Sequence, residues 1–297
     1  MKSSISLVLA AFFSLSCTSQ SKSIIAKDAE LVMVADGFAF TEGPASDKEG
    51  NVYFTDQPNN SILKWDEETN LVTNFMKPSG RANGLYVDNE GKLLAAADEK
   101  NELWQIDMDK KIRILLHQFE NKKFNGPNDV WVDKKGGIYF TDPYYQRPYW
   151  ERKAPELAKE LVYYMAPKST EAKVIASNFV RPNGIIGTPD GKTLYIADIG
   201  DKKTYSYTIE NDGSLSNRKL FTEMGSDGMT LDDQGNLYLT GDGVTVFNTQ
   251  GNQIAHIVTG TDWTANVTFG GKKQNILFIT ASKAIYTLKM NVKGVRW

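Results

Sequence analysis

The feature that most constrains this chain is an internal repeat. Five segments, Asp47 to Asp56, Asp88 to Asp98, Asp133 to Asp142, Asp190 to Asp198 and Asp232 to Asp242, open on an Asp-x-x-Gly or Asp-Gly turn and continue into a β-branched and aromatic run. A degenerate sixth runs from Gly271 to Ala281. The starts lie about 40 residues apart, apart from a longer third interval. The turn chemistry is local: Asp bonds its own backbone and Gly supplies positive φ. The apolar run that follows reads as a buried strand, and a further strand follows in segments such as Ser61–Asp66, Glu102–Asp107 and Thr204–Thr208. Repeats of this length built from four short strands are propeller blades. The expected fold is therefore all-β: a single six-bladed β-propeller over residues 28–297. The stretch Glu30–Val34 should close the ring by adding a strand to the last blade. No useful helical period exists; the rivals are a β-helix or another blade count.

A polar residue recurs in one register ahead of each turn. Five residues before the turn stand Glu42, Asn83, Asn128, Asp227 and Asn266; in the fourth unit, where the turn is longer, Asn183 stands seven before. Gly, Asp or Val follows each one: Gly43, Gly84, Asp129, Gly184, Gly228 and Val267. Equivalent positions of a propeller lie on a circle about its axis. If this strand is the innermost of each blade, six oxygen-bearing side chains converge on the channel, two of them carboxylates. Hard oxygen donors with that charge suit one divalent cation, calcium first, with magnesium, manganese or zinc as alternatives. Simple strand caps would tend to recur as one residue type. Here the type differs by blade, and carboxylates fall only in the first and fifth.

Several motifs around these positions resemble the SMP-30/gluconolactonase family of sugar lactone lactonases. They are Glu42-Gly43-Pro44, Asn125-Gly126-Pro127-Asn128-Asp129, Arg181-Pro182-Asn183-Gly184 and Ser226-Asp227-Gly228-Met229, in the family's order. The resemblance runs from about Phe38 to the C-terminus. It implies that Glu42, Asn128, Asn183 and Asp227 hold a catalytic cation, with Asn83 and Asn266 as substrate-facing neighbours. Some members carry an Arg two residues before the blade-three Asn; this chain has Gly126 there, so their substrate does not transfer. The stretch Thr141-Asp142-Pro143-Tyr144-Tyr145 is closer to the bacterial members.

The implied chemistry is hydrolysis of a small lactone by water. A carboxylate must take the proton, because the chain has only two histidines, His117 and His256, both in short apolar runs. Asp227 is the first candidate, with Asp142 and Asp129 behind it. The extra length of the third unit falls between Pro143 and Lys159. That stretch is rich in Tyr, Trp and Arg and reads either as a lid, with Tyr144 on substrate, or as a packed loop. Trp263 stands just ahead of Asn266 and is a second aromatic candidate for the mouth. Two other functions share the scaffold: an arylesterase or phosphotriesterase on the same metal, and a non-catalytic binding propeller.

Composition removes other classes. With 34 basic and 36 acidic residues there is no electrostatic case for nucleic acid. The single cysteine, Cys17, excludes thiol nucleophiles and cysteine metal sites in the propeller. It follows a short apolar run, Ile5 to Leu15, behind Lys2, which reads as a bacterial signal peptide with a lipobox over residues 1–17 and a polar tether over 18–27. The expectation is an exported protein that meets the membrane only through a lipid on Cys17.

Overall fold

The computed structural model describes residues 23–295. Strand β1 (Val32–Asp36) is followed by six runs that fold into six four-stranded antiparallel sheets. Blade one is β2 to β5 (Thr41–Ser46, Val52–Asp56, Ser61–Asp66, Leu71–Met76) and blade two is β6 to β9 (Ala82–Val87, Leu93–Ala97, Glu102–Ile106, Ile112–Leu116). Blade three is β10 to β13 (Val130–Val132, Ile138–Asp142, Leu161–Met165, Ala172–Ala176) and blade four is β14 to β17 (Pro182–Gly187, Thr193–Asp198, Lys203–Ile209, Leu215–Thr222). Blade five is β18 to β21 (Met229–Leu231, Leu237–Gly241, Gly243–Phe247, Gln253–Ile257). Blade six is β22 to β24 (Thr264–Gly270, Ile276–Ala281, Ala284–Lys289), and β1 supplies its outer strand by pairing with β24. The fold is the expected six-bladed propeller, closed by its N-terminal strand. Packing reaches back to Ile24, which is buried in the last blade ahead of the expected start at residue 28.

Burial explains the strand order. The second strands β3, β7, β11 and β19 are buried along their whole length, whereas the outer strands β5 and β9 lie largely open to solvent. Aromatic side chains fill the seams between blades. Trp65 of blade one packs on Phe278 of blade six, and Trp131 of blade three reaches Gly187 of blade four. A Cβ at Gly187 would lie 2.2 Å from the Trp131 ring, so that seam closes only around a glycine. Truncating one such fully buried aromatic typically costs about 3–5 kcal/mol.

The innermost strands β2, β6, β10, β14, β18 and β22 neighbour one another around the axis. Each is irregular at its polar residue. Register shifts fall between Glu42 and Ala45, Ala82 and Leu85, Pro182 and Ile185, and Thr264 and Asn266. In blades three and five the strand begins only after Asn128 and Asp227. Such bulges re-aim side chains, and here they turn the residue from the sheet face toward the channel. The glycines that follow let adjacent inner strands approach. A Cβ on Gly43 would lie 2.1 Å from the Asn83 carbonyl oxygen, and one on Gly84 would lie 2.4 Å from that of Asn128.

Candidate active site

One end of the channel opens into a cavity of about 510 Å³. Glu42, Asn83, Asn128, Asn183 and Asp227 line it, together with Trp263, Tyr145, Arg147 and Arg181. From there the inner strands run to a second, wider cavity of about 1150 Å³, lined by their far ends. Asn266 and Asp129 belong to that second cavity.

The polar centre is tightly knit. Asn183 Nδ2 donates to Asp227 Oδ1 at 2.8 Å and to the Tyr145 hydroxyl at 3.2 Å. Trp263 Nε1 donates to Asp227 Oδ2 at 2.6 Å. Glu42 Oε2 accepts the Gly43 N–H at 2.9 Å and the Asn266 amide at 3.4 Å. The Asn183 amide oxygen is buried and has no hydrogen-bond partner among the described residues, an arrangement that normally costs about 1–3 kcal/mol. Among the described residues there is no cluster of three or more His, Cys, Asp or Glu; the centre mixes two carboxylates with amides.

Burial dominates the electrostatics here. It pushes the Glu42 carboxyl well above the usual carboxylate range, and the Asp227 charge adds to the rise. Burial also lifts Asp227 to about 6, while the hydrogen bonds from Trp263 and Asn183 oppose it. The Arg147 charge also lowers Asp227, but least of these influences, so two buried carboxyls beside an unpartnered amide oxygen form a site suited to a cation.

The structure separates the other candidates. Asp142 is fully buried away from the cavity, where Oδ2 accepts the Asn125 N–H at 2.9 Å and Oδ1 accepts that of Gly126 at 2.7 Å. It clamps the loop that leads into β10. Asp129 bonds the N–H groups of Val130 and Ile185 and faces the far cavity. Burial lifts both carboxyls to about 7. Asn266, expected to face substrate, instead lies under Glu42 on the far side. Tyr144 turns away and donates to Gln146, and the neighbouring Tyr145 enters the cavity. The signal-like segment and Cys17 lie outside the described residues.

Sequence reasoning missed Arg181, and it took in Arg147 only as one of the arginines of the long third-unit insertion. That insertion does cover the cavity. Residue 126 lies beneath it: a Cβ there would sit 2.8 Å from Asp98 Oδ1 and 3.2 Å from the Trp150 ring, so there is no room for an Arg.

These features define a propeller with a polar, acid-bearing channel centre. The sequence profile of the SMP-30/Gluconolactonase/LRE-like region matches residues 40–283, and the chain belongs to that family. A gluconolactonase of Zymomonas mobilis is 28% identical over 294 residues, spanning 88% of this chain and 82% of its own. A diisopropyl-fluorophosphatase of Loligo vulgaris is 26% identical over 246 residues, spanning 74% and 78%. The solved structure of a gluconolactonase from Xanthomonas campestris superposes with a TM-score of 0.84 at 29% identity, covering 90% of this chain and 91% of the other.

Proposed function

We propose that this protein is a metal-dependent hydrolase that opens the ring of a small lactone, a sugar aldonolactone above all. The observation that carries the reading is the unpartnered, buried Asn183 Oδ1 set beside Glu42 and Asp227 in one cavity. The gluconolactonase relatives support the substrate class. The donor set of Glu42, Asn128, Asn183 and Asp227 is all oxygen with two negative charges, which fits calcium. A bound divalent cation would polarise the lactone carbonyl and stabilise negative charge on its oxygen.

The chain's own residues do the rest. Asp227 takes a proton from water as the water oxygen bonds to the carbonyl carbon. Trp263 holds the Asp227 carboxylate in place through its indole N–H. The ring C–O bond then breaks, and the alkoxide recovers a proton to leave the open hydroxy acid. Tyr145 and Trp263 supply aromatic walls for the sugar ring. The diisopropyl-fluorophosphatase relative makes phosphotriesters the second reading. We also propose that the mature protein is exported and anchored by a lipid on Cys17, a reading that rests on the N-terminal sequence alone.

A screen of aldonolactones, aryl esters and organophosphates tests the reading. It is run on chelator-treated protein with and without added Ca²⁺, Mg²⁺, Mn²⁺ or Zn²⁺. Metal-restored hydrolysis of lactones is expected. Activity on the phosphotriesters alone, or none on any of the three classes, overturns it.

A further inference from the structure

In four repeats an Asp stands at the end of the second strand or just past it: Asp56, Asp98, Asp142 and Asp198. Asp56, Asp142 and Asp198 each accept backbone N–H groups from the loop leading into their own blade: Ala39 and Phe40, Asn125 and Gly126, Val180 and Arg181. Asp98, the blade-two equivalent, does not. Its loop is held instead by Asn60 Oδ1, which accepts Ser79 N–H and Arg81 N–H, each at 2.8 Å. The buried Asp98 carboxylate is thereby free for side chains of other blades: Arg147 Nε at 2.6 Å, the Tyr149 hydroxyl at 2.8 Å and Gln57 Nε2 at 3.0 Å. Its carbonyl accepts Trp150 Nε1 at 2.9 Å. Three of these four donors belong to the blade-three insertion, so Asp98 pins that insertion over the cavity.

The pinned insertion brings a cation to the cavity wall. Arg147 is bound to Asp98 through Nε, and its two Nη groups make no hydrogen bond among the described residues. Arg181 lines the same cavity, its side chain 43% exposed; its Nε makes a long ion pair with Glu160 at 4.0 Å, without a hydrogen bond, and leaves the Nη groups to the cavity. Both guanidinium groups lie over the Tyr145 ring, at 5.4 and 4.9 Å, and the Tyr145 hydroxyl touches Asn183 of the polar centre. Two guanidinium forks with open Nη donors, set beside the centre, match the geometry by which arginine grips carboxylate or phosphate.

We propose that Arg147 and Arg181 form an anion subsite, and that the preferred substrate is a lactone carrying a second, negatively charged group, a carboxylate or a phosphate. The inference rests on the lactonase reading above. Asp98 is a positioning residue for this subsite, acting through Arg147.

Two measurements test it. In the first, kcat/KM is compared for neutral D-glucono-1,5-lactone, D-glucaro-1,4-lactone and 6-phospho-D-glucono-1,5-lactone. The wild type should favour at least one acidic lactone by about tenfold or more, and the better one identifies the group. Arg181→Met should lower kcat/KM for that lactone at least tenfold more than for the neutral one. Arg147→Met should do the same, and Asp98→Asn should raise KM for the acidic lactone with a smaller change in kcat. Because Arg147→Met leaves Asp98 buried without its cation, Arg181→Met, on an exposed side chain, decides the matter if the former fails to fold. In the second, calorimetry follows the ring-opened acids D-glucarate and 6-phosphogluconate binding to wild type and Arg181→Met. Binding by the wild type that weakens at least tenfold in the variant supports the subsite even if no lactone is turned over, in which case the lactonase reading alone fails. A neutral preference, equal losses on neutral and acidic lactones, or equal binding of both acids by the variant overturns it.

Discussion

The Trp263 indole nitrogen donates to Asp227 Oδ2 at 2.6 Å, while Asn183 holds the other carboxylate oxygen at 2.8 Å. The proposed base is thus oriented from two blades at once. A hydrogen bond to a charged group is worth about 1.5–3 kcal/mol. Trp263→Phe keeps an aromatic wall and removes that donor. Lactone turnover should fall about tenfold with little change in thermal midpoint, because the side chain is half-exposed. Steady-state kinetics beside a melting curve checks both halves.

Glu42 carries the other channel carboxylate. Glu42→Gln removes charge but keeps an oxygen, so cation affinity should drop about tenfold or more. Activity should return at high Ca²⁺. A calcium titration of lactone hydrolysis reads it; a variant that stays inactive at saturating Ca²⁺ assigns Glu42 a role in the chemistry.

Asp142 and Asp98 occupy the same repeat position, yet only Asp98 reaches the lid over the cavity. Asp142→Asn sets an amide N–H against a backbone N–H of Asn125 or Gly126. An unsatisfied buried polar group typically costs about 1–3 kcal/mol, so urea midpoints should fall while turnover per folded molecule stays within a few-fold. Lost turnover at intact stability would make Asp142 the base.

Gly84 lets the Asn128 backbone approach. Gly84→Ala places a Cβ 2.4 Å from the Asn128 carbonyl oxygen and 2.8 Å from Asp129 Cα. Overpacking of this kind costs about 1–3 kcal/mol. Displacing Asn128 should also weaken Ca²⁺ binding, which calorimetry measures alongside denaturation.

Blade count and closure were legible because each blade repeats its own turn chemistry, and the polar positions were legible because five of the six stand five residues ahead of that turn and Asn183 seven ahead of a longer one. Depth along the axis was not. Asn266 shares the register of Glu42 but lies beneath it, since a side chain's height depends on where each bulge falls. Nor could sequence separate Asp98 from Asp142, because the difference is made by Asn60 in another blade. Arg147 and Arg181 escaped too: an insertion carries Arg147 outside the repeat, and Arg181, two residues ahead of Asn183 within it, gains its role only from contacts between blades. Tyr144 and Tyr145 are adjacent and chemically alike, and only the backbone path decides which one faces the cavity.

The most direct test follows the initial rate of D-glucono-1,5-lactone hydrolysis as Ca²⁺ is added back to chelator-stripped wild type and Asp227→Asn. The stripped wild type should sit near the spontaneous rate and recover as calcium binds. Asp227→Asn should bind calcium yet remain about 10²–10⁴-fold slower at saturation, the usual cost of losing a general base. Full activity in the stripped wild type, or near-normal turnover by Asp227→Asn, would contradict it.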